Sequence, residues 1–164
     1  MQWYLSRLRL ADIPALVANE AESLREPWGR LAFEAELDAP GARGVVARSG
    51  ATGDESRVIA YICTRLVLDE MHLFRIAVAP QWRGHGIGAQ LLAGCIEDAM
   101  RRGAASVLIE VRPSNRAALA LYRKFGFEVT AVRPGYYPGS REDALMLRKS
   151  LGRPNESEPK KEEA

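Results

Sequence analysis

The sequence predicts a mixed α/β sheet with helices on both faces, organised around one glycine-rich turn. Three observations carry this. Residues 73–79, Leu-Phe-Arg-Ile-Ala-Val-Ala, read as a mostly apolar strand that stops at Pro80. Beyond the turn, Ile87, Leu91, Leu92, Cys95, Ile96 and Ala99 recur at helical spacing and make one apolar stripe. A second strand, 105–111, leads into a helix opened at Asn115, and a strand–helix–strand unit lays its two strands parallel and side by side. The order of patterns over the chain, β-α-α-β-β-β-α-β-α-β-β, supplies the rest of the sheet.

Taken in order, residues 3–9 alternate enough to be an opening strand. Asp12 before Ile13-Pro14 predicts an N-cap with proline in the first turn. Ile13, Leu16, Val17, Glu20 and Leu24 carry that helix to about Leu24, where Glu26-Pro27-Trp28-Gly29 breaks it. A second helix, 30–37, bears Leu31, Phe33, Ala35 and Leu37 and ends at Pro40-Gly41. Trp28 in its Pro-Gly turn has two readings: a recognition residue on a loop, or a plug between two helices. Strand 44–48, a polar turn at 49–56 and a longer strand at 58–68 follow, with Asp69-Glu70 turning the chain back. Arg101-Arg102-Gly103 places basic residues and a glycine stop at the end of the central helix. The last helix carries Ala118, Leu119, Leu121, Tyr122 and Phe125 and closes at Gly126. Strand 127–133, a turn-rich loop at 134–140 and strand 144–148 complete one domain over 1–150. Residues 151–164 hold almost nothing apolar and are expected to be a disordered charged tail, unable to repay their ordering entropy.

Composition excludes several classes. The 164 residues, 47% hydrophobic and 27% charged, suit a globular core. A net charge of +2 is too small to argue for nucleic acid. Cys63 and Cys95 lie in apolar runs without metal spacing and read as buried thiols of a reducing compartment. His72 and His85 are the two histidines and have no ligand cluster around them, so no metal site is expected. No run is long enough to span a membrane and no leader is seen at the N-terminus, which makes the cytoplasm the expected location.

Arg83-Gly84-His85-Gly86-Ile87-Gly88 carries the first chemistry. Glycines let a ligand approach the backbone, and free N–H groups at a helix start form a site for an anion such as a pyrophosphate. The cradle extends through Ala89. It lacks the Gly-Lys-Ser/Thr ending of a Walker loop and fits the Rossmann fingerprint only loosely. Ligands in such sheets bind at the carboxyl ends of the strands, where Glu110 stands. Val107, Ile109 and Val111 share one face; Leu108, Glu110 and Arg112 share the other. Partial burial would raise this carboxylate toward the range of a general base; a salt bridge with Arg112 or Arg75 is the alternative. Tyr122, in the next helix, is a phenol able to protonate a leaving group, or else a core aromatic with a wet hydroxyl.

Arg-x-x-Gly-x-Gly after a strand ending Ile-Ala-Val resembles the acetyl-coenzyme A signature of the GNAT N-acetyltransferases. Residues 110–118 and 121–127 resemble the RimI-type branch of that superfamily, which modifies the alanine end of a small-subunit ribosomal protein. Val67-Leu68-Asp69-Glu70, Tyr136-Tyr137-Pro138 and Arg141-Glu142-Asp143-Ala144 extend the likeness to roughly 6–149. The resemblance implies the GNAT fold, a mostly antiparallel central sheet with one parallel strand pair. It implies Glu110 as base, Tyr122 as acid, and Asn115 in contact with the coenzyme. Ile76, Ala77 and Val78 would give backbone bonds to the pantetheine and thioester. Pro27, Trp28, Glu70, Tyr136 and Tyr137 would wall the acceptor. Gly84-His85 departs from the more usual Arg- or Gln-rich pair and leaves the phosphates to the backbone. The expected partners are acetyl-CoA and the N-terminus of a protein, with neither nucleic acid nor membrane, for a monomer or weak dimer. Acetylation of a lysine, polyamine or small amine, a non-catalytic coenzyme A-binding module, and a protein-interaction domain remain open as alternatives.

Overall fold

The apolar alternation of the chain resolves into seven strands and four helices among residues 2–50 and 56–152, the residues that the computed structural model describes. They are β1 (Trp3–Arg7), α1 (Ile13–Ser23), α2 (Arg30–Asp38), β2 (Ala42–Ser49), β3 (Arg57–Val67), β4 (Glu70–Val78), α3 (Ile87–Arg101), β5 (Ser106–Val111), α4 (Arg116–Lys124), β6 (Glu128–Arg133) and β7 (Ala144–Ser150). The strands form one sheet in the order β1-β2-β3-β4-β5-β7-β6. Every neighbouring pair is antiparallel except β4 with β5, the pair that the strand–helix–strand unit requires.

The two faces are covered unequally. α3 lays Ile87, Leu91, Leu92, Cys95, Ile96 and Ala99 onto β3, β4 and β5 and builds the larger core. On the other face α1 packs on β3 and β4 and α2 on β2, where Ile13, Leu16, Phe33, Val46, Tyr61 and Cys63 form a second core. β6 is exposed along its whole length.

Some boundaries shift, for local reasons. β1 ends at Arg7 because 10–12 winds into a 3-10 turn. Asp12 does not cap α1: its Oδ2 accepts from the backbone N–H of Arg9 at 2.8 Å and from Arg48 at 2.7 Å, a buried ion pair. The turn between β3 and β4 is Leu68-Asp69, with Leu68 at φ 54, so Glu70 already belongs to β4. The expected polar turn falls in part, and the charged tail almost wholly, outside the described residues.

Candidate active site

A gap opens where the parallel pair comes apart. β4 and β5 are in register from Glu70–Ser106 to Leu73–Ile109 and no further. At the same level β4 carries a bulge against β3: Leu73 pairs with Thr64 and Arg75 with Cys63, leaving Phe74 over. A bulge bends a strand and increases its twist, so residues 74–78 run on with β3 along one edge and no strand along the other. The Ala79 N–H donates to Ile59 at 2.8 Å, while the Val78 carbonyl accepts from Arg83 Nε at 3.1 Å. Alternation therefore turns the backbone groups of Val78 and Ile76 toward the gap and those of Ala77 toward β3. Of the expected Ile76, Ala77 and Val78, two can offer main-chain bonds to a ligand in the gap.

The glycine turn sits at the end of that free edge. Gly84 and Gly86 have φ of +78° and +79°, and a Cβ on either would meet nothing within 4 Å. Left-handed backbone, not crowding, is what demands glycine there. The Gln90 N–H reaches the Gly86 carbonyl at 3.1 Å, so the N–H groups of Ile87, Gly88 and Ala89 precede the first bond of the helix ladder. No acidic residue lies in this first turn. His85 Nδ1 is 3.1 Å from the carbonyl oxygens of both Trp82 and Arg83; facing two acceptors, it carries the hydrogen. His85 and Arg83 both brace the turn, and its open backbone fits a diphosphate.

Glu110 and Tyr122 line one cavity of about 340 Å³, together with Ile76 and Asn115. Glu110 also lines a groove of about 970 Å³ on the other side, which Pro27, Trp28, Glu70, Tyr136 and Tyr137 border. It stands where the two spaces meet. Glu110 is only partly covered, with 34% of its side chain open to solvent. It stands at the end of β5, one residue past the last β4–β5 pair, Leu73–Ile109. The expected partners are occupied elsewhere, Arg112 with Glu26 at 3.1 Å and Arg75 with Glu20 at 3.2 Å. Instead Arg133 approaches Glu110 to 3.5 Å, and Tyr136 donates its hydroxyl to it, a bond that raises the Tyr136 phenol.

Tyr122 is 4% exposed, tilted against Phe127, and burial pushes its phenol well above the ordinary value of 10.0. It is therefore protonated across the neutral range. Asn115 caps α4, its Oδ1 accepting from the Ala118 N–H at 3.2 Å. Trp28 packs edge-on against Phe33 at 5.3 Å, as a plug between the two helices would, and it also borders the groove, with the Arg75 guanidinium 4.8 Å from its ring centroid.

Sequence reasoning missed the group that shapes this wall. Glu20 is fully buried and accepts from the Trp28 N–H, the Tyr61 hydroxyl and Arg75. Its place on the apolar stripe of α1 was the signal, since a carboxylate there must find partners. Ion pairs Arg25–Glu142 and Glu26–Arg112, with Arg112 stacked 3.8 Å over Tyr137, tie the α1–α2 loop to the loop before β7. No group of three metal-ligating side chains is found among the described residues, and no helix there is long and apolar enough to cross a membrane.

Residues 13–127 match the model of the acetyltransferase (GNAT) family. The chain is 34% identical over 145 residues to the [ribosomal protein bS18]-alanine N-acetyltransferase of Escherichia coli strain K12, covering 87% of this chain and 94% of that one. The crystal structure of the Escherichia coli ribosomal-protein-S18-alanine N-acetyltransferase superposes with a TM-score of 0.84 at 31% identity, over 96% of this chain and 99% of that one. Arabidopsis thaliana NAA60, solved with acetyl-CoA, shares the fold with a TM-score of 0.83 over 92% of this chain and 99% of that one, at 14% identity.

Proposed function

Because the chain belongs to the acetyltransferase (GNAT) family, we propose that it moves the acetyl group of acetyl-CoA onto the N-terminal alanine α-amine of a ribosomal protein. The relatives' substrate points to that acceptor. The observation that carries the chemistry is that Glu110 and Tyr122 line one cavity where β4 leaves β5.

In this proposal the diphosphate rests on the backbone of residues 83–89, and the pantetheine runs along the free edge at Ile76 and Val78, with Asn115 beside it. The acceptor enters between Pro27-Trp28 and Tyr136-Tyr137, with Glu70 farther along the groove. Glu110 takes a proton from the α-ammonium through water. The amine nitrogen attacks the thioester carbon, and the Val78 N–H steadies the oxyanion. The carbon–sulfur bond breaks as Tyr122 donates its hydroxyl hydrogen to the sulfur. Transfer to a thiolate of ordinary pKa ≈ 8.5 is uphill for so weak an acid, and the second proton, shed by the acetylated nitrogen, passes through water to the Tyr122 oxygen and restores the phenol. An α-amine of pKa ≈ 7.7–8.0 costs about 3–4 kcal/mol less to deprotonate than a lysine at ≈ 10.4, which favours a peptide end. The proposal takes residues 1–150 as one acetyltransferase domain, working in the cytoplasm as a monomer or weak dimer, without nucleic acid, membrane or metal.

The test is to incubate the protein with acetyl-CoA and a peptide that begins with alanine and also contains lysine, and to locate the added mass. Acetyl on the first residue is the expected result. Acetyl on the lysine alone, or none, overturns the assignment.

A further inference from the structure

We propose that Glu70 sets acceptor specificity by taking the cationic side chain, lysine or arginine, of the third or fourth residue of the acceptor peptide. This rests on the acceptor lying in the 970 Å³ groove with its amine at Glu110.

Three carboxylates border that groove: Glu26, Glu70 and Glu110. Glu26 is held by Arg112 at 3.1 Å and Glu110 by Arg133 at 3.5 Å. Among the described residues neither an arginine nor a lysine pairs with Glu70; its partner is His72 Nε2 at 3.4 Å, and 39% of the Glu70 side chain is open to solvent. The groove thus has one carboxylate with room for a cation.

Its distance from the reacting centre follows from the register. Leu73 lies beside Ile109 and Glu70 beside Ser106, so Glu70 stands four residues along the strand from the level of Glu110, about 13 Å. An extended acceptor covers at most about 3.3–3.6 Å per residue. With its α-amine at Glu110, its third and fourth residues lie within a lysine or arginine side chain of Glu70. Leu108, Met146 and the His72–Phe74 stack, with centroids 5.9 Å apart, provide apolar surface along the way. A long basic side chain can lay its methylenes there and keep its charged head at the carboxylate. An acidic side chain has no such place, since the two arginines of the groove are already engaged, Arg133 by Glu110 at 3.5 Å and Arg75 by Glu20 at 3.2 Å.

The experiment compares peptides that all begin with alanine and differ only at position three or four: lysine, arginine, citrulline, alanine or glutamate. With the full chain and saturating acetyl-CoA, kcat/KM is expected to be about two- to fivefold higher for the basic side chains than for neutral ones, through KM. Glutamate is expected to fall below neutral, and the spread to shrink as salt rises. Glu70→Gln should bring the basic-to-neutral ratio to about one, and Glu70→Arg should turn the preference toward glutamate. Equal kcat/KM across the series with the wild-type chain, or a ratio that survives Glu70→Gln, overturns the inference while the acetylation reading stands. If none of these peptides is acetylated although acetyl-CoA binds, that reading falls and takes the inference with it.

Discussion

Two carboxylates on one face of the sheet, Glu20 under α1 and Glu110 at the end of β5, have opposite surroundings. Glu20 is fully buried and every side of it is used, by a backbone N–H, a hydroxyl and a guanidinium. Glu110 keeps 34% of its side chain exposed, one arginine at 3.5 Å and a phenol donor, and cavities on both sides. Full enclosure makes a structural anchor, because any motion of the group would strand buried charge. Loose pairing beside open space leaves a group that can accept a proton and be relieved of it.

The contrast sets the expected effects of mutation. Glu110→Gln should lower kcat by about 10²–10⁴-fold and leave the melting temperature and acetyl-CoA affinity nearly unchanged; steady-state rates beside thermal melts check this. A wild-type rate would remove Glu110 from the chemistry. Glu20→Ala should do the reverse, costing about 3–5 kcal/mol of stability in a denaturant titration, since it leaves Arg75, Tyr61 and the Trp28 N–H without their acceptor. Retention of wild-type stability would mean that the Glu20 anchor has no structural weight.

Each region also holds one buried phenol, and these sharpen the distinction. Tyr122→Phe should cut turnover by about 10²–10³-fold with little loss of stability. Tyr61→Phe should cost about 1.5–3 kcal/mol of stability, the range for a hydrogen bond to a charged group, with turnover per folded molecule close to wild type. A catalytic collapse in Tyr61→Phe would erase the division between anchor and site.

The smallest effect concerns pH. Burial raises the phenols of Tyr61 and Tyr122 above 10.0 and pushes the thiols of Cys63 and Cys95 up to about 12. The native chain holds these protons after the unfolded chain has begun to release them, near 8.5 for cysteine and 10 for tyrosine. Stability from this source is thus complete below about pH 8 and is lost progressively toward pH 12. Melting temperatures should be level from pH 7 to 8 and fall from pH 9 to 11. A level curve through pH 11 would refute the burial of these protons. Over the same range no loss of activity from ionised Tyr122 is expected below pH 10.

Much of this molecule follows from the chain read by itself. The stripe of α3, the glycine turn, the alternation of β5 and the Asn115 cap are local patterns, and local patterns obey periods of 3.6 and 2.0 and the demand of a positive φ for glycine. They were enough to place Gly84, Gly86, Glu110 and Tyr122 at one end of the sheet. Only the tertiary structure decided which partners each charge takes. Glu110 meets Arg133 and Tyr136 instead of Arg112 or Arg75, and Glu20 collects donors 8, 41 and 55 residues away. Such pairings depend on where a bulge and a parting of two strands put side chains far apart in sequence, and no period along the chain records that distance.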